Sequence, residues 1–394
     1  MLNPAAPKTI TAHTAFRGVS HHARGDVRED PIQEREAFKV SATGRDKKIV
    51  STLGYRVSVP IVGTLASLAP LLQTFADSKF GRPVAPAMMR VSALNTGTDV
   101  LTIGTHGLTT ADPVMIAYDE VAPTLNSGTL SQSTIYFARA VSGTTISLHA
   151  TANDATNNAA VINFTADATS GSWWVCAQRA LTVHRNTGVI RTYRNAIVEK
   201  FPTLVSAGGK LTWTGDLVFR CLPGWDQTPD GSDAAAFWTE AISAYTPPAW
   251  SAADVLTAPS LADAAWGATP PWDAIRSEGG WQIEFAPQLS DLDNGIWPSS
   301  ALIMDGFAIT AKGKAIGLTK PQIDAINAKD LGALVTGDDL ELNFAGYTLT
   351  LLEAILEPVG TIFSPTNRIV PEMTWMAHGA SGTDLQPAFT LVAA

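Results

Sequence analysis

At 394 residues the chain is long enough for two or three domains of roughly 100–200 residues each. Its 27 Lys+Arg against 36 Asp+Glu give a net charge of −9, which argues against a grip on nucleic acid through clustered cations. Only 16% of residues are charged, below the roughly 25% of ordinary soluble domains, so the surface suits a subunit that buries itself against its own copies.

The segment MLNPAAPKTITAHTAF has no cationic start followed by an apolar core, so no secretory signal is expected. No stretch approaches the roughly 18 uninterrupted apolar residues of a membrane helix. Residues 1–48, with HHARGDVREDPIQERE and GRDKK, read as an extended arm and not as a packed unit. GYRVSVP (54–60) then begins the short alternating runs of antiparallel β structure. A helix is expected over TLASLAPLLQTFADS (64–78), where Leu65, Leu68, Leu71, Leu72 and Phe75 share one face.

Residues 91–172 differ in character: they are rich in Thr, Ala, Ser and Asn and hold none of the 11 tryptophans. Candidate strands there are DVLTIG, PVMIAYD, TIYFARAV, TTISLH and AVINFTA, at all-β spacing. Further strands follow in ALTVHR (180–185), GVIRTYRNAIVEKF (188–201) and LTWTGDLVFRCL (211–222). Residues 223–279 are linker-like, with PGWDQTPDG, YTPPAW and ATPPW. Trp225, Trp238, Trp250, Trp266 and Trp272 would be costly in water, at about 25 cal/mol per Å², so they are expected at a domain or subunit interface. A second helix is expected in TKPQIDAINA (319–328), with Thr319 as N-cap and Pro321 in the first turn.

An internal repeat organises these elements. GVIRTYRNAIVEKF from Gly188 matches GYTLTLLEAILEPV from Gly346, pairing Thr192 with Thr350, Ala196 with Ala354, Ile197 with Ile355 and Glu199 with Glu357. A strand follows each, LTW ending at Trp213 and MTW ending at Trp375. Upstream, GYRVSVP from Gly54 resembles GWQIEFAP from Gly280. The interval between the paired elements is longer in the first copy, and the surplus falls where the tryptophan-free block lies. The expected organisation is therefore an arm (1–48), a first domain (49–90 and 173–222) interrupted by a small β module (91–172), a linker (223–279) and a second domain (280–394). The fold class is mainly β: two sandwich or barrel domains, each with one helix, plus the inserted all-β module.

No chemistry is legible. There is no G-x-S-x-G elbow, and the seven histidines (His13, His21, His22, His106, His149, His184, His378) are scattered. The pair His21–His22 sits in the arm beside Arg24, and DLDNG (291–295) lacks the calcium-loop pattern and reads as an Asx turn. GKAIGLTK (313–320) has the wrong spacing for a phosphate loop. Cys176 and Cys221 have neither disulfide-framework nor metal-site spacing and are expected as buried thiols in a cytoplasmically made protein. No catalytic residue, metal or cofactor is expected, and no enzymatic activity. Trp173–Trp174 and the linker tryptophans leave one rival reading, a secreted carbohydrate-binding β protein with aromatic platforms. In GTHGLTTADPVMI (104–116), His106 reads as a turn residue and Asp112 as a turn cap, with Gly107 supplying the bend.

The block from DVLTIGTHGLTTADPVMI to INFTADATSGSWWV resembles a β module common in virion proteins of tailed phages. HGLTTADPV matches that pattern except that Ala111 stands where glycine is usual; STIYFARAV and TTISLHAT supply the next elements. The flanking copies resemble the tail-tube fold of long-tailed, siphovirus-like bacteriophages, a β-sandwich or barrel with one helix that closes into rings by sheet continuation. The resemblance implies a major tail tube protein located in the virion tail and made in the host bacterium. Three duplicated subunits would form a pseudo-six-fold ring, and stacked rings a conduit through which DNA passes without specific binding. Tape-measure and tail-terminator proteins would be its partners. A distal tail or baseplate protein of related fold is the alternative within that class.

Overall fold

Runs such as DLVFRCL and TISLH place alternate side chains on opposite faces of an extended backbone, and β-branched and aromatic residues favour that geometry. Both are strands in the computed structural model. It describes residues 12–16, 19–23, 25–39, 46–62, 68–69, 71–72, 75, 83–84, 87–118, 120–132, 134–177, 180–207, 210–223, 238–243, 264–267, 272–292, 301–329, 337–344, 347–357, 372–378 and 389–393. The protein is mainly β, and every strand pairing among the described residues is antiparallel. No described helix is long and apolar enough to cross a membrane.

The C-terminal unit is a closed barrel. Strand Trp272–Leu292 pairs with Ala264–Trp266, and the path continues through Asp338–Phe344, Tyr347–Leu356, Glu372–Met376 and Ala301–Ile316 back to Trp272–Leu292. Closure satisfies the backbone groups that an open sheet would leave at its edges. The N-terminal unit follows the same course as a curled sheet. Its hairpin Arg28–Lys39/Asp46–Val62 is flanked by Val19–Ala23 and by Asp216–Leu222. From Val19–Ala23 the path runs through Ala12–Phe16 and Leu181–Arg185 to Val189–Tyr193. Asn195–Lys200 continues that last strand beyond Arg194 and pairs with Asp216–Leu222.

Register makes the correspondence residue by residue. The pair Leu181↔Tyr193 corresponds to Leu340↔Leu351, and all four side chains are buried. The row Phe219↔Val57↔Glu29 corresponds to Trp375↔Ala311↔Ile283. Each unit then adds one outer strand, Trp238–Ile242 on Val189–Tyr193 and Phe389–Ala393 on Tyr347–Leu356. Gly188 turns the first hairpin at φ 82°, where a Cβ would also lie 2.6 Å from the Ser243 carbonyl oxygen. Each unit carries its helix after the long hairpin. In the first, Leu68, Ala69, Leu71, Leu72 and Phe75 are helical and buried. In the second, the helix is Lys320–Lys329; the Gln322 Oε1 accepts from the Thr319 N–H (2.9 Å) and the Thr319 carbonyl from Ile323, as an N-cap requires.

Four expectations are corrected. Residues 12–16, 19–23 and 28–39 are not an arm but strands of the first unit, with Ala23 in its core. The charged run hid the strand Arg28–Lys39 because cross-strand backbone bonds to Asp46–Val62, not apolar alternation, hold it. Gly54 and Gly280 are not equivalent, since Gly54 lies on the second strand of its hairpin and Gly280 on the first. Nor is Trp213 the counterpart of Trp375; Phe219 is. Finally, the proline-rich span 223–279 contributes the strands Trp238–Ile242, Ala264–Trp266 and the start of Trp272–Leu292.

Between the first helix and Leu181 lies the inserted module, which the second unit lacks. Its seven-stranded sheet runs in the order Ala87–Arg90, Trp173–Ala177, Asp112–Tyr118, Tyr136–Ala140, Thr145–His149, Val100–Thr102, Ala93–Asn95. A short ladder, Thr124–Leu125 with Phe164–Ala166, and the helix Ala152–Asn157 capped by Thr151 complete it. Leu101, Val114, Ile116, Ile146, Leu148 and Phe164 form a core separate from that of the two units. The module thus extends past 91–172 on both sides, because Trp173 and Trp174 (3% and 4% exposed) sit in its central ladder.

Candidate assembly interface

The two units meet by strand addition. The hairpin Thr203–Ala207/Lys210–Thr214 leaves the first unit and adds to the second, with Leu204↔Ile283, Val205↔Gln282 and Ser206↔Trp281. On the opposite edge of the same long hairpin, Pro83–Val84 pairs with Ile303 and Leu302. The first unit therefore holds the Trp272–Leu292/Ala301–Ile316 hairpin from both sides. Backbone bonding of this kind suits any segment that can extend, and alternate side chains set its register.

An apolar seam lies beneath these pairings. Phe75 packs edge-on against Phe201 of its own unit (centroids 5.3 Å apart) and tilted against Phe307 of the other (5.6 Å). Phe201 and Trp213 both reach Phe285, and Phe307 stacks on Phe389 at 5.1 Å. Such aromatic pairs contribute about 0.5–1.5 kcal/mol each beyond area burial. All of these residues belong to one continuous core spanning both units. Arg220 of the first unit closes the rim with an ion pair to Asp291 of the second (2.7 Å).

A cleft of about 520 Å³ opens at this junction, lined by Arg56, Glu199, Phe201, Glu284, Phe285 and Pro287 among others. The Arg56 guanidinium donates to both Glu199 oxygens at 2.6 Å, and this bond, with the carboxylate charge, raises the arginine pKa against the cost of burial. Lys312 lies 3.4 Å from Glu284. These groups are matched to one another and hold the shape of the junction.

Inside the first unit, Glu29 stands where the second unit has Ile283. Its side chain is 3% exposed and lies 2.7 Å from Arg185 and 2.5 Å from Arg191, while the Tyr193 hydroxyl donates to it at 2.9 Å. Arg191 also reaches Glu240 (3.0 Å) and lies 4.1 Å above the Trp238 ring. Burial, reinforced by the negative charge of Glu29, pushes the Tyr193 hydroxyl pKa upward. The corresponding positions of the second unit are Leu349 and Leu351, both fully buried.

The five candidate interface tryptophans divide. Trp266 and Trp272 lie inside the barrel, 2% and 1% exposed, packed edge-to-face at 5.5 Å, so they are core residues and not a subunit surface. The Trp266 indole donates to the Asp338 and Ala354 carbonyls at 3.1 Å, pinning two strands. Trp238 is half-buried beneath Arg191. Trp225 and Trp250 lie outside the described residues. Trp173 and Trp174 are buried and present no aromatic platform. Sequence alone does not mark the junction hairpin as an interface, because its partner strand lies far away in sequence and only the LTW strand of the hairpin carries a local signal.

The remaining polar candidates act as structure. His106 is 6% exposed; its Nδ1 accepts from the Leu108 N–H and its Nε2–H donates to the Ser142 carbonyl, both at 2.9 Å, which fixes the tautomer. Asp112 accepts from the Thr109 N–H and hydroxyl at 2.8 Å. His149 is fully buried between Ser147 and the Ala159 carbonyl. His13 is opposite both His22 and His184 across the sheet, and burial lowers the His184 pKa. Among the described residues no group of three His, Cys, Asp or Glu could hold a metal ion. Cys176 and Cys221 are buried free thiols; burial pushes Cys176 up to about 12 and Cys221 well above its usual value.

Ala111, where the resembling modules carry glycine, adopts φ 74°. A left-handed L-residue costs about 1–2 kcal/mol, and glycine's extra unfolded-state entropy returns roughly 0.5–1 kcal/mol of that. Ala111→Gly is therefore expected to stabilise the module by about 0.5–1 kcal/mol in chemical denaturation. A loss of stability would show that the Ala111 methyl contributes packing. No protein-family model matches the chain, and no curated protein does.

Proposed function

We propose that the protein is a structural subunit that assembles with copies of itself, and specifically a major tail tube protein of a long-tailed phage or phage-derived particle. Its mechanism is association: duplicated β units join into rings, and rings stack into a hollow conduit for DNA. The observation that supports this reading is the junction, where the curled sheet of the first unit docks on the barrel of the second by strand addition over an apolar seam. A contact of this kind between like units is what head-to-tail assembly of copies would repeat. The inserted module, which has its own core, can project from such a ring without disturbing the junction. The low charged fraction favours permanent contacts between copies.

Light scattering and negative-stain microscopy of the purified chain test the proposal. Rings of uniform bore, or tubes stacked from them, are the expected result. A chain that stays monomeric at high concentration and low salt would overturn it.

A further inference from the structure

Three histidines that are scattered in the sequence stand in one line in the fold. His13 pairs with His22 on one side and with His184 on the other, so the strands Val19–Ala23, Ala12–Phe16 and Leu181–Arg185 each bring one histidine to the same transverse row. Directly paired residues share a face of the sheet. Ala23 beside His22 and Val183 beside His184 are buried in the core, and alternation puts the histidine row on the opposite, outer face. His184 is half-buried there. Opposed residues of antiparallel strands have Cα atoms about 4.5–5.5 Å apart, which sets the two outer histidines of the row about 10 Å from each other. An imidazole together with a metal–nitrogen bond of about 2.0–2.1 Å reaches past half that span, so three can meet at one ion above the central strand.

We infer that this row binds a divalent transition-metal ion of the zinc, nickel or copper class, with His13 as the central ligand and His22 and His184 on either side. Imidazole nitrogen suits these ions, whereas magnesium and calcium seek oxygen. The fold supplies the register and not a finished cage: no ligand triad stands assembled among the described residues, and rotation between side-chain rotamers on a fixed backbone gathers one. The next row on the same face is Ser20, Ala15 and Thr182, small residues that leave room for water on the ion. Val62 and Ile190 continue the histidine row at its two ends and offer no competing ligand.

The second unit provides an internal comparison. His22 pairs with Val62 as Arg276 pairs with Ile316, and His184 pairs with Ile190 as Asn343 pairs with Thr348. Arginine keeps its proton and cannot ligate a metal, so the site belongs to the first unit alone. An ion held there staples the hairpin Ala12–Phe16/Val19–Ala23 to a strand far along the chain, and its binding energy adds to the stability of the fold. The inference needs neither self-assembly nor a phage origin.

The untagged chain, stripped with a chelator, is titrated with Zn²⁺ alone by calorimetry and melted with and without the ion. His13→Gln, His22→Gln and His184→Gln are compared with the exposed, off-row control His378→Gln, each verified as folded by circular dichroism. A single ion per chain and a raised melting temperature are expected. Each row variant should weaken binding by more than the roughly 10–100-fold that loss of an outer-shell partner costs, and the control should leave it unchanged. Electron paramagnetic resonance of the unmodified chain with Cu²⁺ gives a reading that no unfolded variant can spoil: splitting from three imidazole nitrogens is expected. No stoichiometric binding, binding that persists in folded His13→Gln, equal loss in His378→Gln, or a Cu²⁺ spectrum with fewer than three nitrogens would overturn the site.

Discussion

Replacing Glu29 by isoleucine alone is expected to destabilise the first unit by about 3–5 kcal/mol, although isoleucine occupies the equivalent position of the second unit. The reason is what remains. Arg191 is only 20% exposed on its side chain and sits within 2.5 Å of the Glu29 carboxylate, and Tyr193, which donates to it, is fully buried. Removing the carboxylate takes from Arg191 its buried counter-charge, leaving it Glu240, whose side chain is 39% exposed, and strips the Tyr193 hydroxyl of its acceptor. Copying the whole second-unit solution, Glu29→Ile with Arg191→Leu and Tyr193→Leu, is expected to recover most of that loss. Exchanging a complete buried ionic cluster for apolar residues is often neutral or stabilising. Arg185 and Glu240 are left without these partners in the triple variant, but their side chains are 38% and 39% exposed and can turn to water. Chemical denaturation of the single and triple variants measures both effects. A triple variant no more stable than Glu29→Ile would mean that the cluster sets the shape of the unit and does not merely fill it.

That contrast also shows what the sequence could and could not reveal. The strands Val189–Tyr193 and Tyr347–Leu356 were legible because alternation and a shared Thr-x-x-x-Ala-Ile pattern mark them, whereas the strand Asp338–Phe344 that pairs with the second carries no such mark. Both helices were legible for the same reason, with Phe75 and its neighbours on one face and Thr319 capping the other. Alternation is silent, however, about which strand of a hairpin a segment forms. GYRVSVP and GWQIEFAP have similar patterns yet occupy opposite members of their hairpins. Burial in a barrel is equally silent: Trp266 and Trp272 lie in a proline-rich stretch that reads as linker, and only the closure of six strands makes their surroundings a core. The charged strand Arg28–Lys39 has no apolar stripe at all, and the surroundings of its buried Glu29 carboxylate are defined by arginines more than 150 positions away. The junction depended on non-local pairing in the same way, since Leu204 and Ile283 meet only in the folded chain.

The junction itself yields the second large effect. Phe75→Ala is expected to cost about 3–5 kcal/mol, the range for deleting a buried phenyl ring that leaves a cavity. Phe75 is 1% exposed and touches Phe201 in its own unit and Phe307 in the other, so the void would open between the units and not within one of them. The helix that carries it cannot sink to fill the gap, because Leu68, Leu71 and Leu72 are already buried against the same core. Since that core is continuous, both units should melt in a single transition, and the variant should melt earlier but still as one. A double-mutant cycle with Phe307→Ala should give a coupling of at least 0.5 kcal/mol, as expected for residues in contact. If instead the variant melted in two steps, with the C-terminal barrel unchanged, each unit would have a self-sufficient core and the strand pairings alone would join them. Phe75→Leu separates packing from geometry: it keeps most of the apolar volume, so its cost should be well below that of alanine.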